Sequence, residues 1–160
     1  MRLNELQAAG DWRGVVGLER EALALARELR GANPGVAPAI LNTLGVGFRN
    51  VGEYARAREM YEQIKAMAEE TGDRAGVGRA CGNLGNCYSR TGEYALAREM
   101  QEQSKAMCEA LGDRAGVARA CGNLGNCCIS AGEHATALTF LKTQHAIAAE
   151  LQLGHLQAEA

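Results

Sequence analysis

The sequence predicts an all-α protein, an array of seven or eight antiparallel helices. Three observations carry that prediction. The string RACGNLGNC occupies residues 79–87 and recurs letter for letter at 119–127. Residues 52–78 agree with 92–118 at 20 of 27 positions, again with an offset of 40. Self-similarity at such a period marks an array of supersecondary units that stack on one another. Finally, no segment alternates polar and apolar residues over a strand's length, and aromatics make up only 4% of the chain. A sandwich or barrel needs both alternation and β-branched or aromatic residues.

The offset of 40 divides one array, 1–160, into a partial unit 1–38 and units 39–78, 79–118 and 119–158. Gly10-Asp11-Trp12 begins the series that continues as Gly52-Glu53-Tyr54, Gly92-Glu93-Tyr94 and Gly132-Glu133-His134. The first helix of the first unit is cut short, and residues 152–160 resemble the start of a further repeat. Within the third unit, Arg74 to Thr91 reads as a first helix, which Gly92 breaks. Glu93 opens a second helix, where an acid suits the positive N-terminus. That helix runs to about Leu111 and stops at Gly112-Asp113. Its apolar face is expected at Tyr94, Ala97, Met100 and Met107, with Ser104 as a polar lapse. Met60 and Met67 read as core in the same way, and Leu84 and Leu124 as buried helix contacts.

Composition bounds the function. A net charge of −2 over 160 residues leaves no overall basic footprint, which excludes nucleic acid as the principal partner. No run of eighteen apolar residues predicts a membrane span, and the N-terminus lacks the apolar core of a signal peptide. Six Cys in a signal-less helical chain point to free thiols and a cytoplasmic location. Cys81 and Cys87 lie about 120° apart on one helix, so they cannot clamp one metal ion together. They read as small apolar packing residues, with adventitious pairing of Cys81 and Cys121 the one redox chemistry open to them. Trp12 and His134 occupy the aromatic position of the repeat and read as packing. His145 and His155 have no second ligand at a recognisable spacing. No catalytic arrangement, metal site or cofactor motif emerges, so the chain reads as a non-enzyme.

Leu84, Gly85, Tyr88, Gly92, Tyr94 and Ala97 carry a family likeness, as do Leu44, Gly45, Phe48, Gly52, Tyr54, Ala57 and Tyr61. The next repeat keeps Leu124, Gly125, Gly132 and Ala137, with Cys128 and His134 at positions where aromatics are usual. In this spacing the chain resembles the tetratricopeptide repeat (TPR). The 40-residue period and the Gly-Asp-Arg-Ala linkers at 72–75 and 112–115 look like the subclass of Leu-Gly-Asn-repeat polarity adaptors and kinesin light chains. Leu84-Gly85-Asn86 and Leu124-Gly125-Asn126 match the adaptor signature, while Val46 stands in place of Asn. The resemblance implies a right-handed helical superhelix whose concave groove binds peptides or helices.

At roughly 100° per residue, Arg79, Asn83, Asn86 and Arg90 share one narrow stripe of their helix. Arg119, Asn123, Asn126 and Ser130 repeat it. The preceding repeat offers a weaker version around Asn42, Arg49 and Asn50. The resemblance places this face in the groove. An Asn amide both donates and accepts, so it can hold a peptide backbone whatever its sequence, and Arg adds a planar fork for carboxylates. Mid-helix Gly82 and Gly122 leave room for a ligand backbone or a neighbouring helix. Segments 74–91 and 114–131 contain five Arg and no acid, whereas 93–111 carries Glu93, Glu99, Glu102 and Glu109. The expected function is a protein-binding scaffold or adaptor that takes an acidic extended or helical segment. The alternative is a structural array, a fragment of a larger regulatory protein, which forms homo-oligomers through its exposed end helices.

Overall fold

The computed structural model describes residues 2–31, 33 and 35–158, with side chains as far as Gln152. The described residues form nine helices and no strand. In chain order they are α1 (Arg2–Ala8), α2 (Trp12–Gly17), α3 (Glu19–Leu29), α4 (Val36–Asn50), α5 (Tyr54–Thr71), α6 (Arg74–Arg90), α7 (Tyr94–Ala110), α8 (Arg114–Ser130) and α9 (His134–Ala158). The count exceeds the expected seven or eight because one predicted helix is interrupted at Leu18, giving α2 and α3. Gly14 and Gly17, both poor helix formers, sit just before that break.

The turns are locally encoded. Gly10, Gly52, Gly72, Gly92, Gly112 and Gly132 all have positive φ, between 69° and 86°. A side chain there would be strained, so glycine is the natural residue. After each, the next N–H reaches back five residues: Glu53 to the Phe48 carbonyl at 2.8 Å, Glu93 to Tyr88 at 2.9 Å, Glu133 to Cys128 at 2.8 Å. These are Schellman closures, which satisfy carbonyls that a helix end otherwise leaves open. Glu93 is the N-cap of α7, but its side chain makes no capping bond; it accepts from the Thr91 hydroxyl at 2.8 Å instead. Asp113 does cap, accepting from the Gly116 N–H at 2.8 Å.

One expected boundary fails. Gln152 stands where the repeat has Gly72 and Gly112, and α9 continues through it to Ala158. Without a glycine to adopt the left-handed conformation, nothing local stops the helix there. The new repeat expected from 152 therefore does not begin within the described residues; 159 and 160 lie outside them, as does the side chain of His155.

The helices fall into two units, Met1–Asp73 and Arg74–Ala160. In the first, α4 and α5 pair, and α2 and α3 pack on α4. Its core holds Val15, Leu41, Leu44, Phe48, Ala57, Met60, Tyr61 and Ile64. The Arg56 guanidinium lies 4.2 Å from the Phe48 ring centroid and pairs with both Glu19 and Glu53. In the second unit, α6 pairs with α7 and α8 with α9, and α7 also packs on α8. Leu84, Leu124, Cys81, Cys87, Cys121 and Cys128 are fully buried there. Each leucine contributes roughly 2 kcal/mol by leaving water.

The buried face of α7 is Ala97, Gln101, Ser104 and Cys108, rotated from the expected methionine face. Met100 and Met107 are half-buried, as is Met67 in the first unit. The supposed polar lapse at Ser104 is core, because this small residue faces Gly82 of α6. His134 is exposed, which corrects its reading as a packing residue. It occupies the first position of α9, before the helix closes on its neighbours.

Candidate functional site

The polar stripes of α6 and α8 form the candidate site in the second unit. On α6, Arg79 and Arg90 are exposed and Asn83 and Asn86 half-buried. On α8, Arg119 and Asn126 are exposed and Asn123 is half-buried. The apolar and small residues between them, Ala80, Leu84, Cys87, Ala120, Leu124 and Cys127, turn inward and hold the stripes outward. In the first unit, Asn42 and Asn50 are exposed and Arg49 is half-buried on α4. Asn50 donates from Nδ2 to the Val46 carbonyl of its own helix at 2.8 Å.

A residue outside the predicted stripe joins α6 to α8. Gln101 of α7 is 1% exposed. Its Nε2 donates to the Gly82 carbonyl at 2.9 Å and to Asn86 Oδ1 at 3.0 Å. Its Oε1 accepts from Asn123 Nδ2 at 3.2 Å. A buried amide is costly unless its groups are bonded, and here both ends are. Asn86 and Asn123 are thus each tied on one side to the fold. Asn83 and Asn126 make no side-chain hydrogen bond among the described residues.

The mid-helix glycines serve the neighbouring helix. A methyl on Gly82 would stand 3.2 Å from Ser104 Oγ, and one on Gly122 2.8 Å from Gln144 Nε2. The close approach is therefore by α7 and α9, within each helical hairpin.

Charge on the site is one-sided. Helices α6 and α8 contain five Arg and no acid. Arg114 is ion-paired with Glu150 of α9, and Arg79, Arg90 and Arg119 stand exposed on the stripes. Arg98 on α7 pairs with Glu133 at 2.6 Å. None of the six cysteines is in a disulfide, and all are buried. Burial pushes the thiols of Cys108, Cys121 and Cys127 up, at Cys108 with help from the Asp113 carboxylate. Protonated, buried thiols are poor nucleophiles. Among the described residues, no group of three or more His, Cys, Asp or Glu is placed to hold a metal ion.

The repeat and its geometry agree with a known sequence family. The family model for the tetratricopeptide repeat matches residues 36–110 and again 78–150. The chain belongs to the tetratricopeptide repeat family. TPR arrays are protein–protein interaction modules, typically non-enzymatic scaffolds. Among solved structures, the chain is similar to BtubC (BKLC) from P. vanneervenii, with a TM-score of 0.80 and 19% identity over 94% of this chain. It spans 61% of that protein's length. It is also similar to nearly identical TPR-like repeats from a Podosopora anserina protein of kinesin light chain type. There the TM-score is 0.74 at 22% identity, over 94% of this chain and 73% of that one. Both likenesses establish the all-α TPR solenoid fold. No curated protein matches the sequence.

Gln101 is the site residue that the stripe pattern missed. One signal for it lies in the TPR register: Tyr61, Gln101 and Leu141 are spaced 40 apart. An amide where sibling repeats carry large, mainly apolar residues is a buried polar group in search of partners.

Proposed function

We propose that this TPR chain is a non-enzymatic interaction module that binds an acidic segment of another protein along the Arg/Asn stripes of α6 and α8. The observation that carries the proposal is the five Arg and no acid on these two helices, with Asn83, Asn86, Asn123 and Asn126 between the exposed Arg79, Arg90 and Arg119. Asn side chains suit the backbone of an extended or helical segment, and Arg suits its Asp and Glu side chains. Within the first unit by itself, Asn42, Arg49 and Asn50 of α4 are residues of the same chemistry. The six buried cysteines, none in a disulfide, support a cytoplasmic setting, because a reducing compartment keeps thiols reduced. No described helix is long and apolar enough to cross a membrane.

An array of synthetic acidic nonapeptides, each beside its Glu→Gln and Asp→Asn version, tests this reading. Acidic members should bind more tightly, and the preference should shrink with added salt. Arg79→Ala combined with Arg119→Ala should remove the preference. Equal binding of charged and neutral peptides would defeat the acidic-ligand proposal.

A second reading, self-association, is favoured by Ile129 and Leu138, which are 46% and 53% exposed on α8 and α9. Light scattering over a concentration series checks it; Ile129→Ser with Leu138→Ser should then lower the mass.

A further inference from the structure

We infer that Gln101 gives the Asn86–Asn123 pair a fixed polarity, so that the site meets a ligand C=O at Asn86 and a ligand N–H at Asn123. The inference rests on the peptide-binding reading above and names how that site would hold a backbone.

The assignment starts from a group that has no choice. The Gly82 carbonyl can only accept, so the atom of Gln101 at 2.9 Å from it is Nε2. Nε2 has two hydrogens, and the second goes to Asn86 at 3.0 Å. The Asn86 atom that faces it must therefore be the acceptor, Oδ1. The other end of Gln101 is then Oε1, and the atom of Asn123 at 3.2 Å must be the donor, Nδ2. One main-chain carbonyl thus orients three amides in series.

What remains for a ligand differs between the two asparagines. Asn86 keeps both N–H groups of Nδ2. Asn123 keeps its carboxamide oxygen, the acceptor it can offer, together with the one N–H of Nδ2 that Gln101 does not take. Neither Asn86 Nδ2 nor Asn123 Oδ1 has a hydrogen-bond partner among the described residues, and both side chains are partly exposed. Turning Gln101 over would set Oε1 against the Gly82 carbonyl and strand a donor in a site that is 1% exposed. An isolated asparagine can turn to suit either partner. This pair cannot turn without breaking the Gln101 bonds. Gln101 is a positioning residue, since it lies beneath the stripe and acts through the two asparagines.

The test has a ligand-free arm and a ligand arm. In the free protein, side-chain amide NMR should show the Gln101 Nε2 hydrogens protected from exchange. Gln101→Leu should sharpen and release the Asn86 and Asn123 amides. Leucine is what the chain itself places at the equivalent position 141, and Gln101→Tyr, copying Tyr61, is the second variant should leucine perturb the helix content. Rapid exchange at Gln101 would overturn the inference.

The ligand arm uses the tightest acidic nonapeptide from the array, with each backbone amide replaced in turn by an ester, which removes one N–H. One ester should weaken binding about fivefold to tenfold in the wild type and in Asn86→Ala, but not in Asn123→Ala. In Gln101→Leu that penalty should fall below about threefold. Coupling of the sensitive N–H to Asn86, or an unchanged pattern in folded Gln101→Leu, overturns the polarity while leaving peptide binding in place. Failure of every acidic peptide to bind removes the binding proposal itself, and the polarity with it.

Discussion

Gln101 crosses α6 directly over Gly85: a methyl on Gly85 would stand 2.6 Å from Gln101 Nε2 and 2.8 Å from its Cγ. The same relationship recurs between Tyr61 and Gly45, at 2.8 Å, and between Leu141 and Gly125, at 2.8 Å. In each repeat the Leu-Gly pair buries the leucine and leaves the glycine as the seat for one large residue of the partner helix. That residue is an aromatic, an amide and an aliphatic in turn, since what the seat requires is an absent Cβ.

Gly85→Ala should therefore destabilise the chain by about 1–3 kcal/mol through overpacking, although alanine is the better helix former by roughly 1 kcal/mol. Gln101 cannot retreat, because both ends of its amide are bonded. Gly82→Ala is the contrasting case. Its methyl would meet only the Ser104 side chain, Oγ at 3.2 Å and Cβ at 3.9 Å, so the propensity gain should leave stability equal or higher. Urea melts of the two variants read the difference; equal and opposite ranking would show that the seat is loose.

Leu84 and Leu124 are both 0% exposed. Truncating either to alanine should cost about 2–5 kcal/mol, the sum of lost transfer energy and a cavity between helices. An Asp at either position should be worse, since an unpaired charge would enter the interface. Thermal melts followed by circular dichroism measure both.

Stability should fall on the alkaline side. Burial raises the thiols of Cys108, Cys121 and Cys127 above the ordinary value of 9.0. A group whose pKa is raised by folding stabilises fully below its unfolded value, and that contribution is lost as pH rises through the folded one. Lys105, raised by its bond to Glu109, acts in the same direction from its ordinary 10.5. Denaturant midpoints should thus hold level from neutral pH to about 9 and decline above it. At pH 8 a thiol reagent should label native protein slowly and all six cysteines rapidly once it is unfolded. Prompt labelling of the native chain would show that these thiols are open to solvent.

Lys105 and Glu109 lie one turn apart on α7 with a 2.6 Å ion pair, and Glu109 is half exposed. Solvent screens such a pair, so Glu109→Gln should cost no more than about 0.5 kcal/mol. A double-mutant cycle with Lys105→Met isolates the pair from any loss of the lysine stem's packing.

Much of this protein is determined locally, and that part is legible from the sequence alone. The glycines at 52, 72, 92, 112 and 132 mark turns because only a residue without Cβ enters the left-handed region freely. The Arg/Asn stripes follow from helical spacing, and the buried leucines from the same count. Gln152 shows the rule in reverse, since a helix without its glycine runs on. Other features depended on tertiary structure. Gln101 is polar, and every partner that makes it a core residue sits on another helix, 15 to 22 residues away. The buried face of α7 departs from its apolar spacing for the same reason: Met100 is apolar enough for the core, but the space beside Gly82 and Gly85 admits Ser104 and Gln101. Periodicity places residues on a face, whereas burial is decided by the neighbouring helix. His134 and Cys128 diverge similarly, one exposed and the other fully buried, although both depart from aromatic positions of the repeat. Position along one helix gives direction, and only the second helix gives contact.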